Sequence, residues 1–429
     1  MLFLHLSDIH FQYPACATPE TDPERPYRTR LLQDARARVV QLGPVDAILV
    51  GGDVAYSGRP EEYQAARKWI LELADACNCA EAQIYVIPGN HDVDWTIIKN
   101  SVPVQNAQRA IIHAEDKERE LRRQFQHREA GASLLAPLTA YNDFAAPFSC
   151  QVFTPDKLYW HQDIRLDASG IDLRIYGLTS TILSGAGAPN GKEDAPSGLY
   201  LSPMQTVLDP VDNVVNLVMC HHPPDWFSDG DKVADAIKAR ASVHVFGHKH
   251  RQRIDRDPSY VSFSAGAVNP DRKEREWLPG YNIVRLTVGL SERGYHLDVE
   301  AHLLAYQANP EMFSPMRDSD GSEIFSHRVR LRNINPSVAP RTALVPESKL
   351  AQPVDAEAAM GEEHARNIVS RFWKLSTSDR REISRHLNLL EPGEMDLPQA
   401  ERYGRALLRA GQRNLLQDLV HEIEKRENR

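Results

Sequence analysis

An apolar run that ends in a cluster of His, Asp or Asn occurs five times between Leu2 and His250, and this limits the fold more than any other feature of the chain. Residues 84–92 read IYVIPGNHD, so the run stops at Pro88 and Gly89 and presents Asn90, His91 and Asp92 in a row. Residues 2–6 lead into Ser7, Asp8, Ile9 and His10, and 47–50 into Gly51, Gly52 and Asp53. Residues 214–219 lead into Cys220, His221, His222 and Pro223, and 243–246 into Gly247, His248, Lys249 and His250. Short apolar runs bounded by turn signals read as buried strands, and α/β folds place chemistry at strand ends. Five strands of this kind are expected to place their ligands along one sheet edge.

Alternation on an extended chain puts residues two apart on one side, so Asp8 with His10, and His248 with His250, are expected to reach one centre together. Two carboxylates, four histidines and one Asn are too many for a single tetrahedral zinc. They suit two metal ions that share a carboxylate at a separation of roughly 3.5–4 Å. Imidazole and oxygen donors without thiolate point to Mn, Fe or Zn. The glycines before Asp53, Asn90 and His248 are expected where the backbone turns sharply.

The ordered blocks SDIH, GGDVAYSG, GNHD, CHHPP and GHKH resemble the signature of the calcineurin-like metallophosphoesterases. That resemblance implies an α/β fold, a two-sheet α/β sandwich, and two divalent metal ions with Mn favoured. Carried over residue by residue, it puts Asp8, His10 and His250 on one metal and Asn90, His221 and His248 on the other, with Asp53 bridging. His91 then stabilises the phosphoryl transition state or protonates the leaving oxygen, with Asp92 orienting it. His222 is left as a pocket wall or as a group that supports the ligands from behind. The family's reaction implies attack on phosphorus by a hydroxide that bridges the two ions. One departure stands out: where several branches carry a further acidic or Arg residue after GD, this chain has Val54, Ala55, Tyr56, Ser57 and Gly58.

A chain of 429 residues with 42% hydrophobic content has room for a large catalytic domain and a smaller one. The formal charge of −9 argues against a globally basic nucleic-acid wrapper. No apolar stretch reaches the length of a membrane span, and the opening MLFLHLSDIH reads as a core strand rather than a signal peptide. The cysteines Cys16, Cys77, Cys79, Cys150 and Cys220, odd in number, read as reduced thiols of a cytoplasmic protein.

Helical spacing at Leu31, Ala35, Val39 and Leu42, and again over 61–76, gives the βαβ rhythm of a mostly parallel sheet. Residues 95–148 read as a helical cap insertion, whose run Lys117, Glu118, Arg119, Glu120, Arg122 and Arg123 suits a solvent-facing surface. Short strands are expected at 151–153, 163–166 and 173–178, and 184–197 reads as a surface loop. Strands at 260–265 and 281–288 are expected to complete the second sheet, with 295–304 and 329–331 extending the β-rich part.

The domain reading is therefore 1–334 for the phosphoesterase, 335–355 for a Pro- and Ser-rich linker, and 356–429 for a small all-α bundle. Four apolar faces define that bundle: Ile368, Phe372 and Leu375; Ile383, Leu387 and Leu390; Tyr403, Leu407 and Ala410; Leu415, Leu419 and Ile423. Its last part, ALLRAGQRNLLQDLVHEI, is similar to the death-like adaptor domains of bacterial conflict proteins, which implies contact with a protein partner or self-association. The substrate expected is a nucleotide or nucleic-acid phosphodiester. A second reading keeps the fold but makes the chain a sensor or scaffold working mainly through its adaptor.

Overall fold

The three N-terminal apolar runs form β1 (Leu2–Leu6), β2 (Ala47–Val50) and β3 (Ile84–Val86), paired parallel in that order with every residue buried. Parallel neighbours need a crossover, and α1 (Arg25–Leu42) and α2 (Pro60–Ala76) supply the two. Helix α1 buries Leu31, Ala35 and Val39 as one stripe. Helix α2 starts at Pro60, and Glu62 accepts from the Arg59 amide at 3.2 Å to close its first turn. The structure, a computed structural model, describes residues 1–152, 157–167, 170–186, 194–270 and 278–334, and further on 368, 371–372, 375, 377–387, 389–390, 399–413 and 415–427. The proposed linker, 335–355, lies outside the described residues. Contacts divide the chain into two units, Met1–Arg341 and Thr342–Arg429.

Helices α3 (Trp95–Asn100), α4 (Val102–His113), α5 (Lys117–Gln126), α6 (Arg128–Leu135) and α7 (Thr139–Ala145) make up the insertion after β3. It packs on α2 through Phe144, stacked on Tyr63 at 5.0 Å. The Gln108 amide of α4 donates to the carbonyls of Ile182 and Ser184. In the charged run, Arg122 pairs with Glu118 and Arg123 with Glu120 along one exposed helix face. No strand forms at 151–152, and Phe153 lies outside the described residues. The side-chain amide of Asn142 takes the place of a strand there, accepting from the Val152 amide at 2.7 Å and donating to its carbonyl.

The second sheet contains β4 (Tyr159–Arg165), β5 (Asp172–Leu178), β6 (Val214–Cys220), β7 (Val243–Phe246), β8 (Arg253–Asp257) and β9 (Tyr260–Ser264), in the order β4-β5-β6-β7-β9-β8. Helix α8 (Gly230–Arg240) connects β6 to β7. Strand β10 (Gly280–Ser291) corrects the expectation that it completes this sheet. It returns to the first sheet and pairs antiparallel with β1, Leu2 opposite Arg285, followed by β11 (Gly294–Ala308), β12 (Glu311–Pro315) and β13 (Phe325–Arg330). The first sheet thus runs β12-β11-β10-β1-β2-β3, with β13 on β11. One buried apolar cluster takes in strands of both sheets, including Leu4, Leu6, Val243 and Val245. Ser7 bridges to Ala267 next to the strand ends. This is the two-sheet α/β sandwich expected.

In the second unit the helices Thr377–His386, Gln399–Gln412 and Leu416–Glu427 are described. The apolar faces read from the sequence meet in one cluster that buries Ile368, Phe372, Ile383, Tyr403, Ala410, Leu419 and Ile423, with Leu375, Leu387, Leu390, Leu407 and Leu415 at its margin.

Candidate metal centre

The strand ends of β1, β2, β3, β6 and β7 bring all seven candidate ligands into one neighbourhood, but β1, β2 and β3 belong to the first sheet and β6 and β7 to the second, so the expectation of a single sheet edge is corrected to the meeting edges of two sheets. Asp8, His10 and His250 offer ligand atoms within 4.8 Å of one another, as do His221, His222 and His248, and also Asp8, Asp53 and His221. Asp53 stands between the sets, its Oδ2 at 3.4 Å from His10 Nε2 and 3.3 Å from His221 Nε2. Asn90 Oδ1 lies 3.2 Å from His221 Nε2 and 3.0 Å from His248 Nδ1. His250 Nε2 lies 3.1 Å from Asp8 Oδ1.

This convergence needs a backbone that the sequence alone did not predict. Asp8, His10, Asp53, His248 and His250 all have φ between 52° and 67°, the left-handed region that costs a non-glycine residue of order 1–3 kcal/mol. The extended-chain expectation is corrected on this point. His248 and His250 fall into different ligand sets, whereas Asp8 and His10, with the same left-handed backbone, share one. The glycine expectation is corrected as well. Gly52 does turn at φ 98°, but at Gly89 and Gly247 close approach is what excludes a side chain. A Cβ on Gly247 would stand 2.2 Å from Ser7 Oγ and 2.8 Å from the Gly51 carbonyl oxygen.

Backbone carbonyls decide where the histidine protons sit. His10 Nδ1 faces the carbonyl of Asn269 at 3.1 Å, and His221 Nδ1 that of Gly51 at 2.8 Å. A carbonyl only accepts, so each Nδ1 carries a proton, and in the neutral ring each Nε2 turns a lone pair toward Asp53. Lone pair against carboxylate repels unless positive charge lies between. Between His221 and Asp53 a proton can take that place, as a cation would: burial pushes His221 down, yet Asp53 and Asp8 draw its imidazole up to about 9. Asp53 is itself held well below the usual carboxylate range, burial opposing this and His221, His91 and His10 outweighing it. A site that gathers positive charge onto a buried imidazole, among imidazole and oxygen donors, fits divalent metal ions.

Residues 1–252 match the calcineurin-like phosphoesterase family. The chain belongs to that family. Residues 364–425 match the GTPase-associated adaptor domain. The glycerophosphodiester phosphodiesterase GpdQ of Enterobacter lignolyticus (strain SCF1) is 35% identical over 97 residues, covering 21% of this chain and 30% of that protein, so the chain spans less than a third of this curated relative. Among solved structures, GAP50 of Plasmodium is similar at a TM-score of 0.35 and 11% identity, covering 78% of this chain and 91% of the other. Vps29 of Chaetomium thermophilum is similar at 0.30 and 10%, covering 77% and 98%.

In this calcineurin-like phosphoesterase the surroundings of His91 depart from expectation. Asp92 does not orient the imidazole. The pair belongs to a short 3-10 turn, Asn90–Asp92, in which neighbouring side chains diverge. The Asp92 carboxylate turns inward and accepts from the amides of Val54, Ala55 and Gly89 and from the Tyr63 hydroxyl. Burial and the nearby Asp53 push it up to about 7. The partner of His91 Nδ1 is the Tyr56 carbonyl at 2.8 Å, while the His91 amide donates to Asp53 Oδ1 at 2.7 Å.

His222 is fully buried beside the centre, its Nδ1 at 2.8 Å from Ser180 Oγ and its ring 4.4 Å from that of His248. Trp226 meets His248 edge to face at 4.0 Å. From the insertion, the Trp95 indole reaches the centre and donates to the Asn90 carbonyl at 3.0 Å. Sequence reading missed Asn269, Tyr56, Ser180 and Trp226. Only Asn269 carried a signal, an Asn-Pro turn after an apolar run.

Proposed function

We propose that this chain is a two-metal phosphoesterase that hydrolyses phosphodiesters of nucleotide or nucleic-acid type. The observation that carries the reading is the convergence of His10 Nε2 and His221 Nε2 on Asp53 Oδ2, at 3.4 and 3.3 Å, with their other ring nitrogens committed to backbone carbonyls. Asp8, His10 and His250 would hold one ion, Asn90, His221 and His248 the other, and Asp53 both, with Mn favoured. Bound ions would supply Lewis acidity and a coordinated water of lowered pKa.

The chain's own groups do the rest. Asp53 Oδ1 is fixed by the His91 amide, so its other oxygen keeps one orientation between the two sets. His91 donates Nδ1–H to the Tyr56 carbonyl, and with the ring protonated on both nitrogens its Nε2–H is left to donate to a phosphoryl oxygen or to hand its proton to the departing alkoxide. The name of the GpdQ relative supports a diester over a monoester.

The match of residues 364–425 to a GTPase-associated adaptor domain supports protein contact as the work of the C-terminal unit, with a partner or with itself. The same match favours a second reading, a scaffold with minor turnover. All five cysteines are free thiols, which suits a reducing cytoplasm. Among the described residues, no helix is long and apolar enough to cross a membrane.

The test is a panel assayed with added Mn: a generic phosphodiester, cyclic nucleotides, and single- and double-stranded nucleic acid. Turnover of a diester with two ions per chain supports the enzyme reading. Bound metal without turnover of any member supports the scaffold.

A further inference from the structure

We propose that Tyr56 is a positioning residue for His91, acting through the carbonyl that holds the imidazole and the phenol ring that covers it. The inference rests on the role proposed above for His91. The hydrogen bond from Nδ1 to the Tyr56 carbonyl, 2.8 Å long, fixes the direction of one N–H but leaves the ring free to swing about that axis. Two neighbouring rings remove that freedom. Tyr56 stacks on the imidazole with centroids 4.9 Å apart and planes 28° from parallel, and His10 meets it edge-on at 4.9 Å and 72°.

Tyr56 is itself held from three sides. The Ala55 amide donates to Asp92 Oδ1 at 2.9 Å, the Tyr56 amide to the Phe11 carbonyl at 3.0 Å, and the Ser57 amide to Glu62 Oε2 at 2.9 Å. Glu62 is buried and also accepts from the amides of Tyr13 and Arg59. Three consecutive amides pinned by three separate segments give this residue one backbone position. Its side chain does not behave as core. Tyr63, Tyr141 and Tyr281 are buried with their hydroxyls bonded to Asp92, the Val86 carbonyl and Asp34, whereas Tyr56 is 39% exposed. Exposed phenol area contributes little to folding, so the use of this ring lies in the imidazoles it meets, His91 face to face and, more distantly, His10 edge-on at 5.9 Å.

Without the ring, His91 samples orientations that miss the reacting oxygens, and kcat falls while substrate binding and metal content hold. Aromatic pairs of this kind correspond to a loss of roughly twofold to tenfold, and a ring that covers the imidazole face belongs to the upper part of that range. The experiment measures kcat, KM and bound Mn for Tyr56→Ala, Tyr56→Leu and Tyr56→Phe, each in the native and in the His91→Ala background. The substrate is diphenyl phosphate, whose unactivated leaving group needs His91.

The expected result is a fivefold to tenfold fall in kcat for Tyr56→Ala and Tyr56→Leu at unchanged KM and metal content. Tyr56→Phe, which keeps ring and carbonyl, should restore kcat to within about twofold. In the His91→Ala background the same substitutions should cost nothing more, because residues that act through one another are non-additive. An equal loss in both backgrounds, a loss of metal, or an unchanged kcat in Tyr56→Ala would overturn the inference and leave the role of His91 standing. An unchanged kcat in His91→Ala alone would overturn that role and the inference with it.

Discussion

Gly89 and Asp53 lie so close that a Cβ on Gly89 would stand 2.1 Å from Asp53 Oδ1 and 2.5 Å from its amide nitrogen. No rotamer of a flexible side chain relieves this, because the amide is backbone and the carboxylate is held by the His91 amide. Gly89→Ala is therefore expected to displace the carboxylate shared by both ligand sets. Turnover should fall by about 10²-fold or more, the scale of a 1 Å misplacement in an active site. Circular dichroism should stay native, since the strands carry no change. Full activity in Gly89→Ala would mean the carboxylate is not where catalysis needs it.

Asp92 separates stability from chemistry. Its carboxylate accepts from three backbone amides and the Tyr63 hydroxyl, joining the loops after β2 and β3. Asp92→Asn turns an amide donor toward at least one of those donors. The expected loss is about 1–3 kcal/mol, read from the urea midpoint at constant m. A large fall in kcat at unchanged stability would restore the view that Asp92 orients His91.

His91→Ala should keep two ions, because neither proposed ligand set contains it. Its kcat on an unactivated diester should drop by roughly 10²-fold. On a nitrophenyl diester, whose leaving group needs no proton, the drop should be much smaller. Metal loss in this variant, with no separate effect on turnover, would make His91 a ligand.

The five apolar runs and their terminal His, Asp and Asn residues were legible because a buried strand and its turn are local features. The C-terminal apolar faces were legible for the same reason, one helix at a time. The sheet that β10 joins was not, since it depends on Leu2 meeting Arg285 far along the chain. Strand β8 reads RIDRD, an edge strand whose charges hide the alternation. Strand β12 has five residues at the rim of the first sheet. The left-handed backbone at Asp8, His10, Asp53, His248 and His250 had no signal either, because those residues carry a Cβ and the surroundings impose the conformation. Asp92 was misjudged from adjacency: next to His91 in sequence, it points the other way in the 3-10 turn.

The two units predict a truncation. A chain ended after residue 341 loses none of the seven candidate ligands and keeps both sheets. It should fold, bind two ions and hydrolyse a small diester within about twofold of the full-length rate. It should lose association with a partner or with itself, measured by light scattering, as small helical modules bind through one matched face. Insolubility or metal loss on truncation would place the helices within the catalytic core.

The most direct test of the two-metal account is elemental analysis of the native chain and of Asp53→Asn after equilibration with Mn, alongside diester turnover. Asp53 faces both His10 and His221, so one substitution disturbs both sets at once. The account predicts two ions per native chain, and loss of most metal and nearly all turnover in Asp53→Asn. Two ions retained by Asp53→Asn with turnover intact would contradict it.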